Sequence, residues 1–309
     1  MTTSLSHHIR RWLPKALLVL LWGAACYWFL DSRLRYHFFY QEQNMLFLND
    51  TEYLASYFRR PAWLACLAGD FLTQFYYYLF AGPALLTVTL LTLGDLSRRL
   101  IEHSLGATLS AQGSRIMAWA ATIASLVFIT YVARLCLDET FTLASPIAMC
   151  GGMALWLAHD MAHSRTQRWW LRALTFAAAL ALACWSFGFG AHTMLLPEVV
   201  KTATLAVRRR GRLWTVVPTL AIAATPFCLM PAVADHYHIS TQRALHYPGT
   251  GSWVDWDYVK TYENTLALDN EYYFGHYNKV VGMYKTIKGE KNDQMAFFNC
   301  LALAQMGLL

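Results

Sequence analysis

The stretch that decides the fold spans residues 61–96 and reads PAWLACLAGDFLTQFYYYLFAGPALLTVTLLTLGDL. It is almost wholly apolar, and a pair of arginines flanks it on each side. A single helix of this length would extend about 54 Å, whereas the hydrocarbon core of a bilayer is ~30 Å thick. A run of tyrosines followed by Gly82-Pro83 interrupts the stretch. We therefore predict two helices, Pro61–Phe75 in or dipping into the outer membrane interface and Pro83–Leu96 completing one crossing.

The composition is typical of an integral membrane protein. Of the 309 residues, 56% are hydrophobic and 14% are charged, whereas about 25% of residues are charged in soluble domains. Runs of about 18 apolar residues recur along the chain, which is the length that a helix needs to cross a bilayer. The net charge of +6 comes largely from basic residues in short loops between those runs, so we do not expect nucleic-acid binding. The sequence therefore predicts an all-α, polytopic membrane protein.

Seven membrane-spanning helices are predicted in residues 1–233, together with the interfacial or re-entrant helix at 61–75. The predicted spans are Leu13–Leu30, the broken element at 61–96, Ile116–Leu135, Phe141–His159, Trp169–Phe187, Met194–Val207 and Leu213–Val233. More than half of the lysines and arginines then fall on the side of the membrane where the chain begins. Because cytoplasmic loops carry an excess of Lys and Arg, we expect a bacterial inner-membrane protein with its N-terminus in the cytoplasm and its C-terminus in the periplasm.

The composition changes after residue 233, where the long apolar runs end. A turn-rich linker is predicted at 234–252, followed by an extracytoplasmic helical tail at 253–309. The predicted tail helices are about Trp253–Asp269, Glu271–Ile287 and Asp293–Met306, with Asp293 as an N-cap. Small residues within these helices make the tail similar to tetratricopeptide arrays, in which one repeat cannot bury its faces alone. We therefore expect either that the chain is part of a longer protein or that the last face docks on the membrane domain or on a protein partner.

Two carboxylates in the first external loop are the predicted catalytic residues. Asp50 and Glu52 are two positions apart, and facing carboxylates can hold a divalent cation or accept a proton from an acceptor hydroxyl. The alternative interpretation is structural. Asn49 or Asp50 would then cap a helix that begins near Glu52, whose charge suits the positive end of the helix dipole.

Three polar residues at the two ends of the predicted interfacial helix are the candidates for substrate binding. Arg59 and Arg60 precede the helix, and Gln74 lies near its end, where lipid would not tolerate an outward-facing amide. Arginine pairs well with phosphate, so the two arginines are candidates to hold the phosphate of a lipid carrier. The alternative is that they extend to lipid headgroups without a specific ligand.

Ionisable residues inside the predicted spans are further candidates. Glu198 and Lys201 lie three positions apart in a short span, where they can pair on one helix face and are either functional or a neutral structural pair. His159 and His163 have a spacing that can ligate a metal. Because no third ligand is nearby in sequence, a polar cluster at the membrane surface is the alternative.

Two segments carry a resemblance to a known family. The first runs from Phe38 to Gly82 and includes Gln41-Glu42-Gln43, Leu46-Phe47 and Phe71-Leu72-Thr73-Gln74-Phe75; the second is residues 299–308, which read NCLALAQMGL. With the span count, they resemble an uncharacterised family of multi-pass membrane proteins from Bacteroidota, a domain of unknown function. The resemblance implies an inner-membrane protein with a helical outer tail that is longer than the one here. The architecture is also similar to that of polytopic glycosyltransferases that use lipid-linked sugars, an analogy at the level of the fold.

These features lead to one functional hypothesis with two alternatives. The hypothesis is a glycosyltransferase-like enzyme of envelope glycan or lipid metabolism, acting on a lipid-linked substrate at the outer face of the membrane. The first alternative is a non-enzymatic membrane scaffold whose tail binds a protein partner. The second is a transporter, suggested by the ionisable pair in the sixth span, although no inverted repeat is visible in the sequence.

Overall fold

The computed structural model describes residues 2–78, 80–105, 111–163, 168–208, 214, 216–249, 251–288 and 291–309. All regular structure in these ranges is helical, so the predicted all-α class is confirmed. The α-helices are α1 Thr2–Arg33, α2 Arg35–Gln43, α3 Thr51–Tyr57, α4 Trp63–Thr73, α5 Ala81–Leu105, α6 Ala111–Leu135, α7 Ala144–His163, α8 Trp169–Phe187, α9 Leu195–Arg208, α10 Val216–His236, α11 Thr241–His246, α12 Trp256–Tyr273, α13 Tyr277–Thr286 and α14 Asp293–Gln305. Two 3-10 segments, Gln74–Tyr77 and Gly188–Met194, join α4 to α5 and α8 to α9.

Four helical stretches in the described ranges are long and apolar enough to cross a membrane. They are Leu13–Arg33, Ile116–Leu135, Trp169–Val207 and Val216–His236. This finding supports a membrane protein, and the second stretch has the bounds predicted for the third span. The number of seven spans and the direction of the chain stay predictions. Several of the predicted cytoplasmic markers, at 165 and 209–212, lie outside the described residues.

The stretch at 61–96 is divided into two helices, as predicted. The break falls between α4 and α5, and Pro83 lies in the first turn of α5, where its missing N–H is not needed. A Cβ on Gly82 would lie 2.8 Å from the Phe38 side chain of α2. The Phe38 ring in turn meets Tyr76 edge-on with centroids 5.2 Å apart. α2 therefore packs directly against the break, and α5 continues past the predicted end at Leu96.

Close contacts between small residues place α4 and the second 3-10 segment against α7. A Cβ on Gly69 of α4 would lie 2.7 Å from the backbone nitrogen of Ala144. One on Gly152 of α7 would lie 1.9 Å from the carbonyl oxygen of Gly190. Small residues at such contacts let backbones approach closely, as they do in membrane helices. The sixth predicted span, Met194–Val207, coincides with α9 apart from Met194, which ends the 3-10 segment packed between α7 and α8.

The tail is held on the membrane domain by polar contacts. Glu263 of α12 accepts hydrogen bonds from the backbone N–H groups of Tyr36 at 2.8 Å and His37 at 3.0 Å, at the start of α2. Asp138, which follows α6, accepts from the backbone N–H of Ser252 at 2.6 Å, and Arg134 donates to a carbonyl of the same segment. α12 therefore docks on α2 and on the segment that follows α6, whereas docking of the last face of the tail, which belongs to α14, stays a prediction.

The three tail helices share a small core. The first of them begins at Trp256 rather than at the predicted Trp253. Their core residues are Leu268, Val280, Met295 and Ala302. The predicted linker contains the end of α10 and the short helix α11. Asn292, rather than Asp293, caps α14, because its side-chain oxygen accepts from the N–H of Met295 at 2.8 Å. The likeness to a tetratricopeptide repeat stays a prediction.

Candidate functional site

A deep apolar groove lies between α8 and α10. Its volume is about 710 Å³. Side chains of α8 and α10 form most of its walls, among them Leu180, Ala181, Cys184, Ile222, Leu229 and Met230. Both helices belong to stretches that are long and apolar enough to cross a membrane. We call this cavity the apolar groove.

Two prolines shape the α10 wall of the apolar groove. Pro226 and Pro231 lie inside α10, where each lacks the N–H that would close the helical hydrogen bond to the preceding turn. Pro226 lines the groove directly. Its neighbour Thr225 donates its hydroxyl to the carbonyl oxygen of Ile222 on the same helix. The prolines thus interrupt the backbone ladder of α10 beside the groove, which is one of the recognised causes of helix bending.

One end of the apolar groove is lined by Gly188, Pro61 and Tyr247 and carries polar groups. The backbone carbonyl of Tyr247 accepts from the N–H of Phe189 at 2.9 Å. The thiol of Cys66 in α4 donates to the Tyr247 hydroxyl oxygen at 3.7 Å. Burial raises the pKa of Tyr247 above its usual value, so this hydroxyl keeps its proton at neutral pH. Tyr247 therefore presents a neutral hydroxyl at this end of the groove.

A tyrosine–aspartate pair lies next to this polar end. The Tyr57 hydroxyl donates to the Asp70 carboxylate of α4 at 2.7 Å, and the guanidinium of Arg60 lies 4.8 Å from the centre of the Tyr57 ring. Asp70 follows Cys66 by one helical turn, and Cys66 contacts Tyr247. A carboxylate and a cation are thus held beside the mouth of the groove. The sequence offered only one signal for Asp70, namely a charge within an apolar stretch.

The predicted catalytic residues do not converge on the groove. Asp50 is the N-cap of α3 and accepts from the N–H of Glu52 at 3.1 Å, which is the alternative interpretation of this pair. Both side chains belong to exposed residues, and neither lines the apolar groove. Their catalytic role, and with it the divalent cation, stays a prediction.

The predicted substrate-binding residues are distributed unevenly. Arg60 lies beside the groove, on the Tyr57 ring, and precedes the lining residue Pro61. Arg59 is exposed, and Gln74 is half-buried in the first 3-10 segment, away from the lining of the groove. None of the three lines the groove, Arg60 is exposed like Arg59 but adjoins the lining residue Pro61, and their binding role stays a prediction.

A buried ionic cluster joins α7, α8 and α9. Arg172 donates to both carboxylate oxygens of Glu198, at 2.7 and 2.6 Å, and to Asp160 at 3.1 Å. Lys201 lies 3.2 Å from Asp160, and Trp156 donates to Glu198 at 3.0 Å. Glu198 and Lys201 therefore do not pair with each other as predicted, because each binds a side chain of a neighbouring helix.

The ionic cluster is a cross-link between helices. The bidentate contact of the arginine and the hydrogen bonds to the carboxylates offset the free-energy cost of burying these charges. His163, one of the two histidines with metal-ligand spacing, forms a 2.8 Å hydrogen bond with Thr175. Across the described ranges, no group of three or more His, Cys, Asp or Glu residues is arranged to hold a metal ion.

The chain belongs to a family of unknown function (DUF6057), whose model matches residues 10–309. No curated protein and no solved structure matches it. The resemblance to a domain of unknown function is thus confirmed over nearly the whole chain. The bacterial phylum, the inner-membrane location and the likeness to glycosyltransferases stay predictions, because the family description names no organism and no activity.

Proposed function

We propose that this protein is a multi-pass bacterial inner-membrane protein that binds a lipid-linked substrate at the outer face of the membrane. The apolar groove between α8 and α10 carries the proposal. Both of its walls come from stretches with the length and composition of membrane spans. Within a bilayer, the molecules beside such walls are lipids, so a long hydrocarbon or isoprenoid chain is the natural occupant.

The dimensions of the groove suit such a chain. Along α8 the lining residues run from Ala177 to Gly188, a distance of about 16 Å at ~1.5 Å per residue. Burial of apolar surface contributes roughly 25 cal/mol per Å². A chain lying along the groove therefore gains binding energy along its whole length, while the polar end formed by Tyr247 and Pro61 is left for a headgroup.

A phosphate headgroup matches the chemistry of that polar end. Arg60 supplies a permanent positive charge next to the lining residue Pro61, and Tyr247 supplies a hydroxyl proton. Arginine and phosphate form strong charge-assisted hydrogen bonds. We therefore assign the headgroup phosphate to Arg60 and Tyr247, with Arg59 and Gln74 as the remaining predicted contacts.

Transfer of a sugar from the bound lipid is the enzymatic part of the proposal. It rests on a carboxylate that acts as a base or holds a divalent cation near the headgroup. Asp50 and Glu52 are the residues predicted from sequence. Asp70 is the additional candidate, because its helix also carries Cys66, which contacts Tyr247 at the polar end of the groove.

Photocrosslinking tests the binding step. The full chain in lipid nanodiscs would be incubated with a photoreactive polyprenyl phosphate, and the labelled residues would be mapped by mass spectrometry. We expect labels on α8 and α10, at least tenfold weaker capture by Ala181→Trp, which fills the groove, and unchanged capture by Leu174→Trp, which lies exposed on α8 away from it. Arg60→Gln should weaken capture more than Arg59→Gln. Equal capture by the Ala181 and Leu174 variants would refute the assignment of the groove.

A membrane scaffold is the second candidate, and α14 favours it. This helix buries Met295 and Ala302, yet Phe297 on another face is 58% exposed. A helix that is apolar on more than one face has surface left for a partner. Site-specific crosslinking in cells from position 297, with position 294 as the control, should give one stoichiometric adduct if the tail recruits a protein. An absence of any adduct specific to position 297 would weaken this candidate.

A further inference from the structure

A second cavity, separate from the apolar groove, lies between α2 and α12. Its volume is about 590 Å³. Six aromatic rings line it, those of Tyr36, Phe39, Tyr40, Tyr77, Tyr273 and Phe274. Several are strongly exposed, with Tyr273 at 74% and Tyr77 at 59%. We call this cavity the aromatic cleft, since six of its thirteen lining residues are aromatic.

Two carboxylates also line the aromatic cleft. They are Glu42 at the end of α2 and Asp269 in α12. Both residues are half-buried, and burial raises the pKa of each carboxyl. Among the residues that the structure describes, neither carboxylate forms an ion pair. The cleft thus holds two partly buried carboxylates without an ion-pair partner among the described residues.

Three basic side chains of α2 and the tail are paired with other carboxylates. Arg35 binds Asp31 at 3.0 Å. Lys279 and His276 both bind Glu271, at 2.5 and 2.7 Å. These contacts leave the two cleft carboxylates as acceptors for a cation that comes from outside the chain.

We propose that the aromatic cleft binds an organic ammonium ion, with Glu42 and Asp269 facing its charge and the rings enclosing its alkyl groups. The faces of tyrosine and phenylalanine rings attract a cation, and the attraction grows when the site is partly shielded from water. A buried carboxylate that gains a cationic partner recovers part of the cost of its desolvation. Both effects require a positive charge on the ligand, which a neutral sugar does not provide.

Choline is the first probe for this site. Saturation-transfer NMR on the full chain in phosphatidylglycerol nanodiscs would follow its methyl signals, with 3,3-dimethylbutan-1-ol as the uncharged ligand of the same shape. We expect choline to bind and the alcohol to bind at least tenfold more weakly. Ethanolamine should compete with choline. Competition by nanodiscs that contain phosphatidylethanolamine would identify a lipid headgroup as the source of the ammonium ion, whereas its absence would leave a soluble amine.

Variants assign the binding to the cleft. Asp269→Asn and Glu42→Gln keep the shape of each side chain and remove its charge, so each should weaken choline binding about tenfold. Tyr273→Leu tests the ring at a position exposed enough to tolerate the change. Asp257→Asn is the matched control, because it makes the same substitution at an exposed position of the same helix that does not line the cleft. Equal binding of choline and the alcohol, binding of glucose in place of choline, or equal effects of Asp269→Asn and Asp257→Asn would overturn the proposal. The apolar groove plays no part in this experiment, so its outcome is independent of the proposed function.

Discussion

The pH dependence of the contact between α2 and α12 depends on two buried groups with opposite behaviour. Glu263 accepts two backbone hydrogen bonds from the start of α2, and burial raises the pKa of this carboxyl to about 7. His37, the second of those donors, is only 2% exposed, and burial lowers the pKa of its imidazole to about 4. The Gln41 amide lies 3.1 Å from the His37 ring nitrogen, a contact that a neutral imidazole can accept.

The two titrations change stability in opposite directions. Between pH 4.5, the usual pKa of a glutamate, and about 7, folded Glu263 binds more protons than the unfolded chain, so its contribution to stability falls as pH rises. Between about pH 4 and 6.5, folded His37 binds fewer protons than the unfolded chain, so its contribution rises with pH. Each slope is at most ~1.4 kcal/mol per pH unit, and from pH 4.5 to 6.5 they offset each other.

Replacing one of the two titratable residues should therefore expose the pH dependence of stability that the other contributes. In Glu263→Gln, the free energy of opening α2 should rise by about 2 kcal/mol between pH 4.5 and 6.5, since His37 alone titrates there and its slope is below the maximum at both ends of the window. In His37→Gln it should fall by about the same amount. In the wild type and in the double variant it should stay nearly constant over this range. Hydrogen exchange of residues 35–43, corrected for the intrinsic pH dependence of exchange, measures this free energy.

Two other carboxylates at this contact serve as an internal check. Hydrogen bonds outweigh burial at Asp138 and Glu271 and hold the pKa of each below its usual range, so both titrate below the window. The reasoning would be refuted if Glu263→Gln and His37→Gln showed the same pH slope as the wild type. It would also be refuted if both single variants changed the slope in the same direction.

The remaining predictions concern the ionic cluster, the α3 cap and the glycine contacts. Arg172→Met should lower stability by about 3–5 kcal/mol, because it leaves the buried Glu198 carboxylate without its arginine. Glu198→Gln should cost less, because Arg172 keeps its contact with Asp160. Thermal unfolding in detergent measures both losses, and strict additivity in the double variant would contradict the pairing. Asp50→Ser should keep the cap, whereas Asp50→Ala should cost about 1 kcal/mol; full transfer of a lipid-linked sugar by Asp50→Ser would exclude this carboxylate as the base. Gly152→Ala should prevent folding or displace the second 3-10 segment, because its Cβ would meet a carbonyl oxygen at 1.9 Å. Gly282→Ala is the matched control in α13, where nothing lies within 4 Å and the substitution should stabilise slightly.

Part of the fold could be predicted because it depends on short segments of sequence. The third predicted span, Ile116–Leu135, is an uninterrupted apolar run, and its bounds are those of the apolar stretch in the structure. The break between α4 and α5 follows from Gly82-Pro83, since proline cannot continue a helix from the preceding turn. α8 also has its predicted bounds, because Gly188 at φ +54° ends it in a conformation that favours glycine.

The candidate sites could not be predicted in the same way, since they depend on contacts between distant residues. Arg172 resembles a loop arginine in the sequence, yet its main partner Glu198 is 26 positions away. The apolar groove requires α8 and α10 to pack with a gap, and periodicity does not specify a gap. The aromatic cleft depends on the docking of α12 on α2, whose hydrogen bonds join residues more than 200 positions apart.

The position of α2 connects these distant contacts to the stretch that decides the fold. Glu263 of the tail holds the start of α2, and Phe38 in the next half-turn packs on Gly82 and Tyr76 at the break between α4 and α5. α4 in turn carries Cys66 to the polar end of the apolar groove. A run of contacts thus extends from α12 through α2 and the break between α4 and α5 toward the groove. The break in this stretch is therefore a contact surface for α2, on which the tail docks, as well as a helix boundary.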